Sequence, residues 1–485
     1  METERRILKS TTILFSASLI AQLANFVFVV YLARAYDPVV LGEYAFALSL
    51  GALLGIFVSL GTNRLLLRKW AEDPGGWQAE VGLLLPAHIV LATLLGVVIF
   101  AGGWAAGLPR AHLHIIAVVS SLQLMTPVWG LLVVGFSASE RMGYGALADM
   151  GIRLSIMLFG SAAIGAGAPP QVALLVLPLS GLLALGALFH LAATEFGMPS
   201  FRLDIKALTS LWREAAMFFL IGAVSIVYAR SGLLLLRGVG GAEQVGIFAP
   251  AERLVTAAGI LHVTFASAIY PPLIRFAKGD TARFQVLADR ATRLMILLSL
   301  PIATVLFLFA EDLVLILFGD EYRRAVDVLR IVAWLFAFKG IGGVLERIAI
   351  AGDRRRLILL AKGAGLVCLL GLGAWLAPGQ GAVGLAVALV ASQTVKLSVV
   401  IYGLVRAGVM PAMIRPGLNV LVACAVTAGV LLALGTEPLA IRSVAALVLG
   451  CSMLWLLGAV QRHDLLFLRR VVRGDPRSRD PRHQS

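Results

Sequence analysis

Residues 41–56 read LGEYAFALSLGALLGI, and residues 245–260 read VGIFAPAERLVTAAGI. Laid over each other at an offset of 204, they match at Gly42/Gly246, Ala45/Ala249, Ala47/Ala251, Leu50/Leu254, Gly55/Gly259 and Ile56/Ile260, with Tyr44 opposite Phe248. Six matches in sixteen between two apolar stretches are modest alone, but Arg34 and Arg237 precede the two copies at nearly the same distance. The copies fall in the second and the eighth apolar run of the chain. The repeat unit is therefore six helices, and two six-helix halves of the same orientation follow. Repeated halves with a site at their interface are the architecture of transporters.

The apolar runs are each about 20 residues long, the length a helix needs to cross a bilayer. They lie at 11–33, 41–63, 80–103, 114–137, 143–165, 172–194, 212–235, 246–272, 292–310, 325–350, 357–377, 382–405, 416–435 and 440–461. The expected fold is thus an all-α polytopic membrane protein of about 14 transmembrane helices. It divides into a six-helix lobe (1–200), a second six-helix lobe (201–410), an additional helix pair (411–462) and a basic tail (463–485). Backbone groups in lipid must be satisfied within the segment, which favours helices, and the ten-residue alternation of a barrel is not visible. The run 11–33 carries no small-residue cleavage site after it and reads as the first span rather than a removed leader.

Composition agrees. Of 485 residues, 59% are hydrophobic and 14% charged, and the mean hydropathy is +0.92. A soluble globule cannot cover that much apolar surface, so soluble enzymes and nucleic-acid-binding domains are excluded. The net charge of +14 would suggest nucleic acid in a soluble protein, but here it follows the positive-inside rule. With the N-terminus inside, 29 of the 41 Lys and Arg residues fall in cytoplasmic segments and six in outside loops, among them Arg34 and Arg237. Both termini are expected inside. Cys368, Cys424 and Cys451 lie in apolar runs without paired spacing and read as small buried hydrophobes.

Six basic residues remain within the spans: Arg153, Arg230, Arg253, Arg330, Lys339 and Lys396. Each charge facing lipid costs about 2.5–3.5 kcal/mol on insertion scales, so such residues face a protein interior or water. Asp149 and Arg153 are four apart on one helix face and can pair. For Arg230, Arg253, Lys339 and Lys396 only Glu252 and Glu346 offer acids at comparable depth. At least two of the four are therefore expected to line a wet cavity, suited to an anion such as a phosphate or diphosphate. Gln22 and Asn25 in the first run, and Gln393 beside Lys396, are polar groups able to hydrogen-bond sugar hydroxyls or a neighbouring helix. Prolines 86, 127, 178, 271, 272 and 301 fall inside spans, where they bend helices. His262 is a candidate proton carrier. No phosphate loop, zinc motif, nucleophile elbow or metal-spaced acidic cluster is present, so neither a cofactor nor a metal is expected.

Four stretches resemble one family. LARAYDPVVLGEYAFALSL (32–50), QVGIFAPAERLV (244–255), IYPPLIRFA (269–277) and ILFGDEYRRAVDVLRI (316–331) are similar to segments of the lipid-linked oligosaccharide flippases, the Wzx-type O-antigen and exopolysaccharide translocases. These belong to the multidrug/oligosaccharidyl-lipid/polysaccharide exporter superfamily. The resemblance implies two lobes around a central V-shaped cavity that work by alternating access. It implies an undecaprenyl-diphosphate-linked glycan as substrate, moved from the inner to the outer leaflet of a bacterial inner membrane. Membrane lipids, a polysaccharide polymerase and glycosyltransferases are the partners it suggests. Arg253, with Glu252, stands where related flippases carry a cavity arginine in an alanine-acid-arginine-leucine element. The first span lacks the pattern of peptidoglycan-precursor flippases, which argues against lipid II as cargo. Two alternatives stand beside this reading. A drug or cation exporter would call for acidic cavity residues, and a polymerase or ligase would need a larger external loop than 102–112 or 311–324 provides.

Overall fold

The structure, a computed structural model, describes residues 2–202, 204–277, 279–409 and 414–433. The described chain is helical, with no strand. Its helices are α1 (Glu2–Ala35), α2 (Pro38–Ser59), α3 (Thr62–Glu72), α4 (Trp77–Ala105), α5 (Arg110–Ala138), α6 (Gly143–Gly165), α7 (Pro170–Phe196), α8 (Ile205–Ala258), α9 (Ile260–Ala277), α10 (Thr281–Leu308), α11 (Ala310–Phe318), α12 (Ala325–Ala351), α13 (Arg355–Arg406) and α14 (Ile414–Ala433).

Among the described residues, ten helical segments are long and apolar enough to cross a membrane, counting α8 and α9 as one continuous stretch. Two of the ten are of double length. α8 is broken at Gly241 (φ 78°) and α13 at Gly381 (φ 58°), backbone conformations that a side chain with a Cβ disfavours. The helices kink at these points without an intervening loop. The seventh and eighth apolar runs are joined through residues 236–245, which include Arg237, Glu243 and Gln244, and the eleventh and twelfth through residues 378–381. The run 416–435 is described only as far as Ala433, and the run 440–461 and the tail 463–485 lie outside the described residues.

Two further helices sit in connections. α3 is amphipathic, burying Leu65, Leu66 and Trp70 while Arg64, Arg68 and Lys69 are exposed. It starts after consecutive left-handed residues, Leu60 (φ 46°) and Gly61 (φ 83°), which end α2. α11 occupies the segment read as the outside stretch 311–324. The in-span prolines 86, 127, 271, 272 and 301 do not end their helices.

The chain forms two compact units, Met1–Ala249 and Pro250–Ser485. In the first, α2 lies along α5. Gly51 would place a Cβ 2.8 Å from the Ser120 carbonyl, and the Ser120 hydroxyl donates to the Ala47 carbonyl at 3.0 Å. Small residues thus let two helices approach backbone to backbone, as lipid-embedded helices do. Trp77, Phe136, Phe196 and Tyr144 stack in a row where α4, α5, α6 and α7 meet. In the second unit α12 is the buried centre, with Phe336, Ala337, Gly340 and Leu345 enclosed between α10 and α13.

Candidate functional site

In the first unit the polar residues of α1 meet the ion pair on α6. Arg153 Nε lies 3.4 Å from Asp149 Oδ1, and Arg153 Nη1 donates to Asn25 Oδ1 at 3.2 Å. The four-residue spacing of Asp149 and Arg153 produces the pair, and the i, i+3 spacing of Gln22 and Asn25 puts both on one face of α1. Gln22, one turn from Asn25, is exposed. Asn25, read as a sugar-contact candidate, and the pair are therefore one cluster rather than separate features.

Arg230 lies in the first arm of α8. Its side chain is half-buried, and its Nε is buried without a hydrogen-bond partner, as is the adjacent Ser231 hydroxyl. A guanidinium N–H removed from water and left unmade costs about 1–3 kcal/mol.

The second unit holds the other candidates. Lys396, on the second arm of α13, is 9% exposed and pairs with Glu346 of α12 at 2.9 Å. Gln393, one turn earlier, is 1% exposed and donates to the Phe338 carbonyl at 3.4 Å. Gly342 lets this amide approach, since a Cβ there would lie 3.2 Å from Gln393 Nε2. Lys339, beside Phe338, is exposed. Glu252 and Arg253 are half-buried. They stand about three turns past Gly241 and not, as the apolar run suggests, in the first turns of a helix, because the helix begins before that run does. His262 accepts or donates a 2.9 Å hydrogen bond with Ser299 and stacks on Phe336, with ring centroids 4.0 Å apart.

Several charged groups lie outside these candidates. Glu43 of α2 is fully buried, and its Oε1 accepts from Arg237 Nη2 at 2.8 Å and contacts His112 Nδ1 at 2.9 Å. Arg237 also lies 5.5 Å over the Phe46 ring. The charge count places Arg237 in an outside loop, and His112 ends the outside stretch 102–112, yet both are helical, on α8 and α5. The signal was in the repeat itself: Glu43 stands opposite Ile247, so the acid is not what packing at that position requires. A second buried group is His88 of α4, whose Nε2 lies 3.1 Å from the Thr62 hydroxyl. Thr62 in turn donates to the Ser59 carbonyl where α2 ends.

Outside the spans, Tyr36 donates to the Ala168 carbonyl at 2.6 Å, tying the α1–α2 turn to the α6–α7 turn. Burial and the neighbouring Tyr31 raise its phenol above the ordinary value. Arg323 pairs with Asp320 and Glu311 at 2.9 and 2.8 Å, which holds its guanidinium still more firmly charged.

Residues 7–277, more than half of the chain, match the family model described as polysaccharide biosynthesis protein. The chain belongs to this family. Its fold recurs in solved structures. This family member superposes on the lipid II flippase MurJ in an inward closed conformation with a TM-score of 0.77 at 12% identity, covering 94% of this chain and 100% of that one. A mutant form of the Vibrio cholerae MATE transporter VcmN gives a TM-score of 0.57 at 15% identity over 83% and 96%. An inward-facing multidrug resistance MATE family transporter of the MOP superfamily gives 0.62 at 15% identity over 81% and 94%. No curated protein sequence matches the chain. The superfamily to which the four sequence stretches pointed is the one whose fold this family member has, and it is a multi-pass membrane protein.

Proposed function

We propose that this family member is a flippase that moves an undecaprenyl-diphosphate-linked oligosaccharide from the inner to the outer leaflet of a bacterial inner membrane, for cell-surface polysaccharide such as O-antigen or exopolysaccharide. The observation that carries the reading is basic: the spans hold more cations than acids, and on α8 one of them, Arg230, keeps a buried Nε with no protein partner. Arg230, Arg253, Lys339 and Lys396 receive the diphosphate, whose oxygens accept charge-assisted hydrogen bonds about twice as strong as neutral ones. Gln22, Asn25 and Gln393 meet the sugar, while Asp149 with Arg153, and Glu252, set the local charge. Membership of a polysaccharide biosynthesis family and a fold like that of a lipid II flippase support the same reading. The lipid tail stays in the bilayer and the headgroup crosses by alternating access. No bond is made or broken, so the protein acts as a transporter and not as an enzyme, beside the glycosyltransferases and polymerase that make and use the glycan.

The likeness to MATE transporters favours a second reading, export of a drug or cation. The two readings differ in the sign of the residues that matter. In a host depleted of its own flippase, Arg230→Ala and Arg253→Ala each leave the protein in the membrane, abolish surface polysaccharide and accumulate the lipid-linked precursor on the inner leaflet. Normal polysaccharide in both variants refutes the flippase reading. Loss of drug resistance with intact polysaccharide establishes the second.

A further inference from the structure

The start of α2 and the turn of α8 at Gly241 touch through backbone. A Cβ on Gly42 would lie 1.9 Å from the Ala242 carbonyl oxygen, and one on Gly246 would lie 1.8 Å from the Pro38 carbonyl oxygen. The contact is reciprocal, since Gly246 and Ala242 are the repeat counterparts of Gly42 and Pro38. Next to it, Arg237 reaches from α8 to the fully buried Glu43. Glu43's other partner, His112, belongs to α5, which is packed along α2 through Gly51 and Ser120.

We infer that Glu43 and Arg237 form a latch that holds the start of α2 against the tip of α8, and that this latch must break for the headgroup to leave on that side. The inference rests on the alternating-access reading above. Three features make this a closure rather than a fixed joint. First, the two helices meet at the crossing backbone to backbone, Gly42 against Ala242 and Gly246 against Pro38. Second, Gly241, at φ 78° and ψ −177°, supplies a pivot at the tip of α8 that other residues disfavour. Third, a buried acid is not needed to fill the space, because Ile247 fills the equivalent position in the other copy and is itself buried. A buried ion pair contributes little net stability over apolar packing, but it is costly to break on one side. That is the behaviour of a catch, which adds little to the resting fold and resists opening. His112 stays with α2 and keeps Glu43 from being orphaned when Arg237 leaves.

The test reads conformation and needs no substrate. Ala242→Cys, at a buried position of the crossing, is made in a chain whose Cys368, Cys424 and Cys451 are replaced by Ala or Ser. A membrane-impermeant maleimide is applied to intact cells and to inverted vesicles, and folding is checked by size-exclusion profile in detergent. The introduced thiol labels slowly in this background. With Glu43→Gln or Arg237→Ala added it labels at least about tenfold faster from one side, because losing one partner of a buried pair exceeds the free energy, about 1.4 kcal/mol, that a factor of ten represents. Arg237→Lys, which keeps charge but loses the forked geometry, falls between. His112→Asn lowers thermal stability yet leaves labelling at the background rate, which distinguishes a latch from general loosening. Unchanged labelling in folded Glu43→Gln and Arg237→Ala overturns the inference, as does acceleration by His112→Asn equal to that by Arg237→Ala. Because labelling is read without glycan, either result leaves the polysaccharide test of Arg230 and Arg253 to stand or fall separately.

Discussion

The reciprocal glycine crossing makes a quantitative prediction about pairs of substitutions. Side chains keep their Cβ at least 3.0 Å from such atoms, so Gly42→Ala falls short by 1.1 Å at the Ala242 carbonyl and Gly246→Ala by 1.2 Å at the Pro38 carbonyl. Neither obstacle is the end of a flexible side chain. Both are backbone, and the helices must move apart by about an ångström, which overpacked interiors register as roughly 1–3 kcal/mol. The two shortfalls are nearly equal and lie across the same contact. Separation that admits one methyl therefore admits the other, and the double variant should cost little more than either single. A double-mutant cycle, with unfolding followed in detergent, should show a coupling equal to about one single loss, roughly 1–3 kcal/mol, within the range seen for residues that share a contact. Losses that add to within about 0.5 kcal/mol, the tolerance for independent sites, would refute a shared contact. A neutral single variant at either glycine would refute it equally.

Three other outcomes are expected. Glu346→Gln leaves the Lys396 ammonium without its carboxylate and lowers stability by about 3 kcal/mol, whereas Glu346→Leu with Lys396→Met restores most of it while removing polysaccharide export, measured by unfolding and by surface glycan in parallel. Tyr36→Phe loses one hydrogen bond and about 1 kcal/mol at neutral pH, read by thermal melts. The phenol donates only when protonated and its folded value is raised, so this contribution is complete below about pH 10 and disappears as pH climbs through the folded value, closing the gap between parent and variant. Asn25→Leu removes the acceptor of Arg153 Nη1 but not its Asp149 partner, so export should fall more than stability, and equal proportional losses in the two assays would argue that the cluster is structural glue alone.

The helices were legible because lipid imposes one rule on every residue of a span, and a rule so uniform survives reading one residue at a time. Every apolar run up to residue 405 is mostly helix in the structure. The Asp149–Arg153 pair was equally legible, being local to one helix turn. The pairing of Lys396 with Glu346 was not, because 50 residues and a helix break at Gly381 separate them, and apolar runs say nothing about which helices touch. Arg237 was misplaced for a related reason. A count of charges by loop assumes that a basic residue near a span's end faces water, but the helix continues past it, and its guanidinium turns inward to a carboxylate on another helix. Glu43 lies in a stretch whose apolar pattern marks it only as membrane, and its mismatch with Ile247 in the repeat is the local sign that sets it apart.

That mismatch has a bearing on ancestry. Contacts in which residue i touches the partner of j, and j the partner of i, are those of a two-fold dimer. The crossing at Gly42 and Gly246 has this form, yet it occurs inside one continuous chain. In a true homodimer any change at the interface appears twice, and an acid introduced beside the axis would face its own copy. Within one chain the two segments are free to differ. One copy of the repeated segment carries Glu43 while the other has Ile247, so the buried acid meets Arg237 and not a second acid.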